Sequence, residues 1–242
     1  MTFHILLAFV ALVAGAIASI VGFGIGSLLT PLLAARVGTQ LAVAAISIPH
    51  VLATALRFWR LRAHVDRYVL VSFGITSAAG GLAGALLHSF ASNRALAIVF
   101  GLILIFVGMS QLTGLAQRMR FHGSVAWIAG AVSGLFGGLV GNQGGIRSAA
   151  LLGFDVDKQA FVATATAIGL IVDAARMPVY FVTQGSEIVH VWLLVLIATI
   201  GALVGTLFGV RALRRIPEKE FRRIVALILL ALGTYMVMSG GG

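Results

Sequence analysis

Apolar residues fill this chain in eight long blocks, and short polar loops separate the blocks. A membrane-spanning helix needs about 20 mainly apolar residues, and the blocks are of that length or longer. Clusters of glycine interrupt two of them. The pattern predicts an all-α polytopic membrane protein with one membrane domain over residues 1–242. Its candidate membrane segments are 3–35 (interrupted), 40–58, 68–88, 94–112, 124–153 (interrupted), 159–182, 189–210 and 222–239.

The second half of the chain repeats the first. Ala14-Gly15-Ala16 aligns with Ala129-Gly130-Ala131, which places Gly22 opposite Gly137. Two four-element repeats are therefore expected, over residues 1–115 and 124–242. Duplicated halves with the substrate at their interface are a transporter architecture. Further along, the offset grows and the matched pairs are Gln40/Gln159, Ser47/Thr166, Thr54/Asp173, Arg57/Arg176, Gly80–Gly84/Gly201–Gly205 and 99–108/224–233.

Glycines break the first element of each repeat. The breaks read GFGIGSLLTP (22–31) and GGLVGNQGGIRS (137–148). Glycine permits backbone conformations outside the helix, and non-helical backbone at membrane depth persists only where protein or a water-filled cavity satisfies it. Interrupted segments at corresponding positions of two repeats indicate a binding site. The alternative is close helix packing through small residues.

Two topologies are open for the broken elements. If all eight segments cross the bilayer, the basic loops 59–67 and 211–221 lie on opposite faces. If the first and fifth elements are re-entrant hairpins bent at their glycines, nearly every loop Arg and Lys lies on one face. The positive-inside rule favours the re-entrant arrangement, which also makes the repeats inverted. Residues 3–21 are nevertheless long enough to cross.

Composition supports a membrane protein and excludes several other classes. The chain is 60% hydrophobic and 10% charged, against about 25% charged residues in soluble domains. The net charge of +10 lies mainly in short loops between apolar segments, as topology requires, so nucleic-acid binding is not expected. With no cysteine, the chain has no disulfide, thiol nucleophile or Cys-based metal site. The N-terminus lacks a basic region before its apolar run, so we interpret it as a membrane segment rather than a signal peptide.

The second break contains a candidate anion site. Free backbone N–H groups at a helix start, together with a guanidinium, bind anions, and the planar fork of arginine suits carboxylate, sulfonate or phosphate oxygens. Snorkelling to the interface is the alternative for Arg147. The first break contributes Gly24, Gly26 and Ser27 to the candidate substrate site. The second contributes Gly141, Asn142, Gln143, Gly144, Gly145 and Arg147.

Polar side chains inside the second and sixth elements are further candidates, because such groups are costly in a membrane. Thr166 and Asp173 lie on one helix face, and Asp173 is close enough in sequence to pair with Arg176. Asp173 could carry protons, coordinate a cation or hold Arg176 in position. His50 could titrate near neutral pH or serve as a packing residue. Arg57, Thr166 and Arg176 complete the predicted substrate ligands, and Asp173 and His50 are the coupling or proton candidates.

The runs GNQGGIRSAAL (141–151) and VATATAIGLIVDAARMPVY (162–180) resemble the sulfite exporter TauE/SafE family, also called the toluene sulfonate uptake permease family. The resemblance covers essentially the whole chain. It implies transport of sulfite, sulfonates or other organosulfur anions across the bacterial inner membrane, and it implies the class rather than the solute. Two features depart from the family pattern: the glycines of the first break are spaced apart, and Ala149 and Ala150 stand where a proline often occurs.

A secondary transporter that works by alternating access is therefore expected. An anion channel and a non-transporting subunit of a larger complex remain as alternatives. An enzyme is not expected, since no nucleophile–base pair occurs, and the absence of GxxxxGK[ST] excludes ATP hydrolysis. No cofactor or metal is expected. The expected partners are a small anion and the lipid bilayer. The GxxxG pairs Gly80/Gly84 and Gly201/Gly205 are interpreted as helix contacts, and the same faces could form a homo-oligomer.

Overall fold

The computed structural model of the protein describes residues 2–115, 124–142, 144, 147, 151, 158–209 and 218–240. These residues contain helices and no β-strand, which confirms the all-α prediction. A single 3₁₀ turn follows α3, and a π-helical turn at Gly205–Gly209 continues α8. The helices are α1 (Thr2–Val21), α2 (Ile25–Val37), α3 (Thr39–Leu61), α4 (Arg67–Phe90), α5 (Asn93–Thr113), α6 (Ser124–Val140), α7 (Lys158–His190), α8 (Trp192–Val204) and α9 (Glu218–Ser239).

Five of the described helices, α1, α3, α4, α5 and α7, are long and apolar enough to cross a membrane, and α2, α6, α8 and α9 are shorter apolar helices. One predicted boundary was wrong. The sixth segment was expected to end at residue 182, but α7 continues to His190. Residues 183–188 were expected to join the sixth segment to the seventh. They remain helical because polar side chains at a helix end do not break its backbone hydrogen bonds.

Large apolar side chains cover the outside of the bundle. Ile5, Phe9, Ile75, Leu102 and Ile200 are all more than half exposed. Such a surface is unfavourable in water, and lipid solvates it. By contrast, α2 is buried along most of its length, from Ile25 through Ala34. It therefore lies inside the bundle rather than against lipid.

The first break turns the chain back on itself. Gly22 and Gly24 join α1 to α2 with φ values of 86° and 139°, which side chains other than glycine rarely adopt. At the opposite end of α1 and α2 from the glycines, the Arg36 guanidinium lies over the Phe3 ring, 4.6 Å from its centroid. The end of α2 therefore lies beside the start of α1, and the two helices form a hairpin with its bend at the glycines.

Glycines bring two helix pairs into backbone contact. A Cβ atom on Gly80 or Gly84 would overlap the backbone of α6, and one on Gly205 would overlap the backbone of α1. Gly201 also contacts α1, where a Cβ would lie 2.9 Å from the Ala8 carbonyl oxygen. Both GxxxG pairs are thus used inside the chain, because small residues allow helices to approach closely. The homo-oligomer stays a prediction, but it would need a surface other than the GxxxG faces.

The last helices of the two sequence halves, α5 and α9, also meet at glycines. A Cβ on Gly101 would lie 2.6 Å from the Gly233 carbonyl oxygen, and one on Gly233 would lie 2.7 Å from the Gly101 carbonyl oxygen. One turn or two further along, a Cβ on Gly108 would lie 2.9 Å from the Ala226 carbonyl oxygen. The two helices are therefore packed as closely as their backbones allow.

Candidate functional site

The two glycine breaks lie against each other in the interior of the protein. A Cβ on Gly26 would lie 2.5 Å from the carbonyl oxygen of Gly141. The Ser27 hydroxyl donates a hydrogen bond to Asn142 Oδ1 across the same contact, at 3.3 Å. Gly144 is buried against the Phe23 side chain. Residues 115 positions apart in sequence thus form one site, as expected for breaks that jointly bind a substrate.

Each break ends a helix, and an arginine caps each helix end. The α1 helix ends at Val21, and Arg147 Nη2 donates to the Gly22 carbonyl oxygen at 3.2 Å. The α6 helix ends at Val140, and Arg176 Nη1 donates to the Gly137 carbonyl oxygen at 2.8 Å. The free carbonyls of a helix C-terminus carry partial negative charge, which a guanidinium stabilises. Arg147 is buried and its guanidinium is directed at the end of α1, so it does not snorkel to the interface.

Two further side chains bind the end of α6. The Tyr180 hydroxyl donates to the Gly138 carbonyl oxygen, and His88 Nδ1 lies 2.7 Å from the Leu139 carbonyl oxygen. The other ring nitrogen of His88, Nε2, lies 3.1 Å from the Gln40 carbonyl oxygen and 3.2 Å from Gln184 Nε2. Arg176, Tyr180 and His88 therefore bind three successive carbonyls. We call these three side chains the α6 clamp.

The sequence predictions did not include His88, Tyr180 or Gln184. All three are buried polar residues in apolar helices, and that property alone marks them as candidates. Their partners are backbone carbonyls, which hydropathy and spacing cannot identify. Tyr180 also lies beside Arg176, whose guanidinium carbon is 5.7 Å from its ring centroid.

Asp173 is fully buried and binds two basic side chains. Its Oδ1 accepts from Arg176 Nε at 2.9 Å and lies 2.7 Å from Arg176 Nη2, so the predicted pairing is confirmed. Its Oδ2 lies 2.7 Å from His50 Nδ1. His50 is on α3, 123 positions from Asp173 in sequence. The His50 side chain is 13% exposed, whereas Asp173 is 0% exposed. The pair thus connects the buried carboxylate to a side chain with some access to the surroundings.

Arg57 has one guanidinium nitrogen without a partner. Its Nε donates to Thr166 Oγ1 at 3.0 Å, and its Nη2 is 3.5 Å from Thr54 Oγ1. The remaining nitrogen, Nη1, is buried and has no hydrogen-bond partner among the residues that the structure describes. An unpaired buried donor on a charged group costs several kcal/mol, in order of magnitude.

Arg147 lies next to Arg57. A Cβ on Gly169 would lie 3.2 Å from Arg147 Nη1 and 3.6 Å from the Thr54 methyl group. Gly169 therefore leaves the room that the Arg147 guanidinium occupies, and both arginines reach the surroundings of Thr54. The charges of Arg57 and Arg147 repel each other, and both are attracted to the Asp173 carboxylate. Within the described part of the chain, Arg147 Nε and Nη1 have no hydrogen-bond partner.

The predicted site residues are largely brought together. Gly24 precedes the N-terminus of α2, and no side chain caps that terminus. Asn142 Nδ2 is buried and, among the described residues, unpaired. Gln143 and Gly145 lie outside the described residues. In the part of the site that the structure describes, four donor atoms are unpaired: Arg57 Nη1, Arg147 Nε, Arg147 Nη1 and Asn142 Nδ2.

Comparison with known proteins assigns the chain to a family. No curated protein and no solved structure matches it. The family model described as "Sulfite exporter TauE/SafE" matches residues 7–236, which is nearly the whole chain of 242 residues and includes both breaks and the buried arginines. The chain therefore belongs to the sulfite exporter TauE/SafE family, whose members are membrane permeases or exporters of sulfur anions.

Proposed function

We propose that this protein is a secondary transporter that moves a small sulfur oxyanion, such as sulfite or a sulfonate, by alternating access. The observation that carries the proposal is the pair of buried guanidinium groups, Arg57 and Arg147, each with N–H donors that have no partner among the described residues. Arg147 belongs to the second break and binds the Gly22 carbonyl of the first. Guanidinium N–H groups match the oxygens of such anions in geometry and in charge. The family supplies the chemical class of the substrate.

The anion is held where the two breaks meet. Asn142 Nδ2 supplies a further donor there, and the uncapped N-terminus of α2 adds backbone N–H groups, which favour negative charge. Arg176 has a different role in this scheme. It binds Asp173 and the end of α6, so it shapes the site and would contact the substrate only by exchanging one of those partners.

The site lies in two inverted repeats, with α1–α5 as the first and α6–α9 as the second. Two pairs of contacts support this. In the sequence alignment Gly101 matches Ala226, and Gly108 matches Gly233. Replacing each residue by its match in the other repeat therefore turns the Gly101–Gly233 contact into the Gly108–Ala226 contact, and both contacts are present. Such exchange is the mark of a two-fold axis that relates the repeats.

A second exchange runs through the site itself. In the alignment His50 matches Gly169 and Thr54 matches Asp173. The His50–Asp173 pair therefore corresponds to the contact between Gly169 and Thr54. At one position the imidazole binds the carboxylate, and at the equivalent position glycine leaves room for Arg147. The two repeats thus carry different side chains at this pair of equivalent positions.

We further propose that the first element is re-entrant. The hairpin of α1 and α2, which the Arg36–Phe3 contact closes, returns the chain to the face where it began. The basic loop 59–67 packs on the start of α7, where the Asp66 N–H donates to Thr164 Oγ1 at 2.9 Å. In this arrangement loop 59–67 lies with the other basic loops on one face of the membrane. The positive-inside rule makes that face cytoplasmic in a bacterial inner membrane.

The moving units are the glycine-packed helix pairs. Helix α1 packs on α8 and α4 packs on α6, so each pair combines helices from both sequence halves. Backbones in direct contact leave no space for sliding. We therefore expect alternating access to rotate the α1–α8 and α4–α6 pairs around the breaks, rather than one sequence half against the other.

His50 and Asp173 are the proposed coupling residues. Protonation of a carboxylate–imidazole pair that also binds Arg176 would change the charge of the site with each cycle. In proteoliposomes, an inward-directed proton gradient, with the acidic side outside, should drive anion accumulation by the unmodified protein. His50→Gln should retain exchange of labelled for unlabelled anion and lose accumulation. Unchanged accumulation by this variant would exclude His50 from coupling.

Radiolabelled sulfite flux into proteoliposomes tests the site. Arg57→Gln and Arg147→Gln should each lower the flux by at least about tenfold, since each removes unpaired donors and one charge. Arg60→Gln is the matched control, because Arg60 lies on α3 one turn beyond Arg57 and is exposed. Normal flux in both site variants would refute the site. Flux that does not saturate would indicate the anion channel, and no flux from pure protein would indicate a subunit.

A further inference from the structure

The charges at the centre of the protein do not balance. Among the described residues of the site, Arg57, Arg147 and Arg176 are cationic and Asp173 is the one anion, while His50 is neutral or positive. Asp173 pairs with Arg176 through two guanidinium nitrogens. With the His50 imidazole neutral, the described residues of the site therefore carry two positive charges in excess.

These two charges are buried. Arg57 is 4% exposed and Arg147 is 2% exposed. Guanidinium groups do not lose their protons in proteins, so the excess cannot be relieved by deprotonation. Their protein partners are neutral: the Thr166 and Thr54 hydroxyls for Arg57, and the Gly22 carbonyl for Arg147. Isolated buried charges are strongly unfavourable unless they are compensated.

We propose that the site selects divalent oxyanions, those that carry two negative charges at the pH of transport, over monovalent sulfonates. This inference rests on the proposed function, since it specifies the ligand of the same site. One dianion balances the charge of both arginines, and its oxygens are acceptors of the kind that the unpaired donors of Arg57, Arg147 and Asn142 require. A monoanion leaves one buried guanidinium uncompensated, and it therefore binds more weakly.

The test compares two ligands of nearly the same shape. Thiosulfate and methanesulfonate share an –SO₃ group, and a terminal sulfur in one takes the place of a methyl group in the other, so they differ mainly by one unit of charge. Binding of each to the purified protein is measured by isothermal titration calorimetry at one pH and ionic strength. We expect one thiosulfate per chain and a dissociation constant at least about tenfold below that of methanesulfonate.

Charge variants show whether the arginines set this preference. Arg57→Gln and Arg147→Gln should each reduce the affinity ratio of the two ligands to within about threefold. Arg57→Lys keeps the charge and should keep the thiosulfate preference even where overall affinity falls. Because the readout is a ratio, it does not depend on the fraction of active protein. Arg60→Gln, at an exposed position of the same helix, should leave the ratio unchanged.

The failures are distinguishable. Equal affinity for the two ligands, two methanesulfonate ions bound per chain, or a preference that survives in Arg57→Gln and Arg147→Gln would each overturn the dianion inference and leave an anion transporter. No binding of any sulfur anion, together with unchanged sulfite flux in Arg57→Gln and Arg147→Gln, would overturn the proposed site itself.

Discussion

Gly26 and Gly141 touch at the centre of the protein, where a Cβ on Gly26 would lie 2.5 Å from the Gly141 carbonyl oxygen. Ordinary Cβ contacts are longer, so no other residue fits at position 26 unless the two breaks move apart. The contact joins the two halves of the chain at the point where the unpaired donors lie. It therefore fixes how closely the two breaks approach each other at the proposed anion site.

We expect Gly26→Ala to lower both the melting temperature and sulfite flux. Position 26 is helical, so alanine would favour the helix by about 1 kcal/mol, and a net loss must come from the collision with Gly141. Gly185→Ala on α7 is the matched control, since a Cβ there meets nothing within 4 Å. That control should be neutral or stabilising. Thermal unfolding in detergent measures both, and a fully stable Gly26→Ala protein would contradict the close contact.

Arg147→Lys should lose most sulfite binding although the charge is kept. Arg147 reaches the Gly22 carbonyl with Nη2 while Nε and Nη1 remain unpaired. A lysine ammonium cannot cap the helix end and present a planar fork at the same time. Calorimetry should show a weakening of about tenfold or more, with Arg60→Lys unchanged. Equal affinity in Arg147→Lys would show that the site requires only a charge.

Asp173→Asn should destabilise the protein by about 3–5 kcal/mol, because it leaves Arg176 buried without its counter-charge. Adding Arg176→Gln should recover part of that loss, since the second change removes the uncompensated charge. Glu187→Gln, at an exposed position of the same helix, serves as control. Denaturant unfolding in detergent measures the four proteins. If Asp173→Asn is as stable as the unmodified protein, the ion pair does not support the fold.

Tyr180→Phe removes one donor of the α6 clamp and leaves the Gly138 carbonyl oxygen without it. The cost of an unpaired buried acceptor is about 1–3 kcal/mol. We expect lower stability and slower flux with little change in the sulfite dissociation constant, because Tyr180 positions the break and does not bind the anion. Tyr235→Phe, at an exposed tyrosine, should change neither. A large change in sulfite affinity would instead place Tyr180 among the ligands.

Local rules predicted the elements of this protein well. Backbone polar groups have no water to bind in a bilayer, so long apolar runs must form helices, and hydropathy alone identifies them. Glycine clusters located the two breaks because side chains other than glycine rarely adopt φ values such as 86° at Gly22. The Asp173–Arg176 pair was predictable because residues three apart are neighbours on one helix. The same rules failed at the end of α7, where polar residues continued a helix.

Only the tertiary structure decided which distant groups meet. His50 binds Asp173 across 123 positions of sequence, and His88 and Tyr180 bind carbonyls that any residue could offer. The GxxxG pairs predicted helix contacts without naming the partner helices, and the structure shows that they pack α4 on α6 and α8 on α1.

The sequence by itself determined a helical membrane protein with two glycine breaks and several intramembrane charges, because hydropathy, glycine conformation and helix spacing are local properties. The tertiary structure decided that Asp173 binds Arg176 directly, while Arg57 and Arg147 keep N–H groups without a partner among the described residues. Compensation of a buried charge depends on which neighbours lie within hydrogen-bonding distance, and that is a property of the folded chain alone.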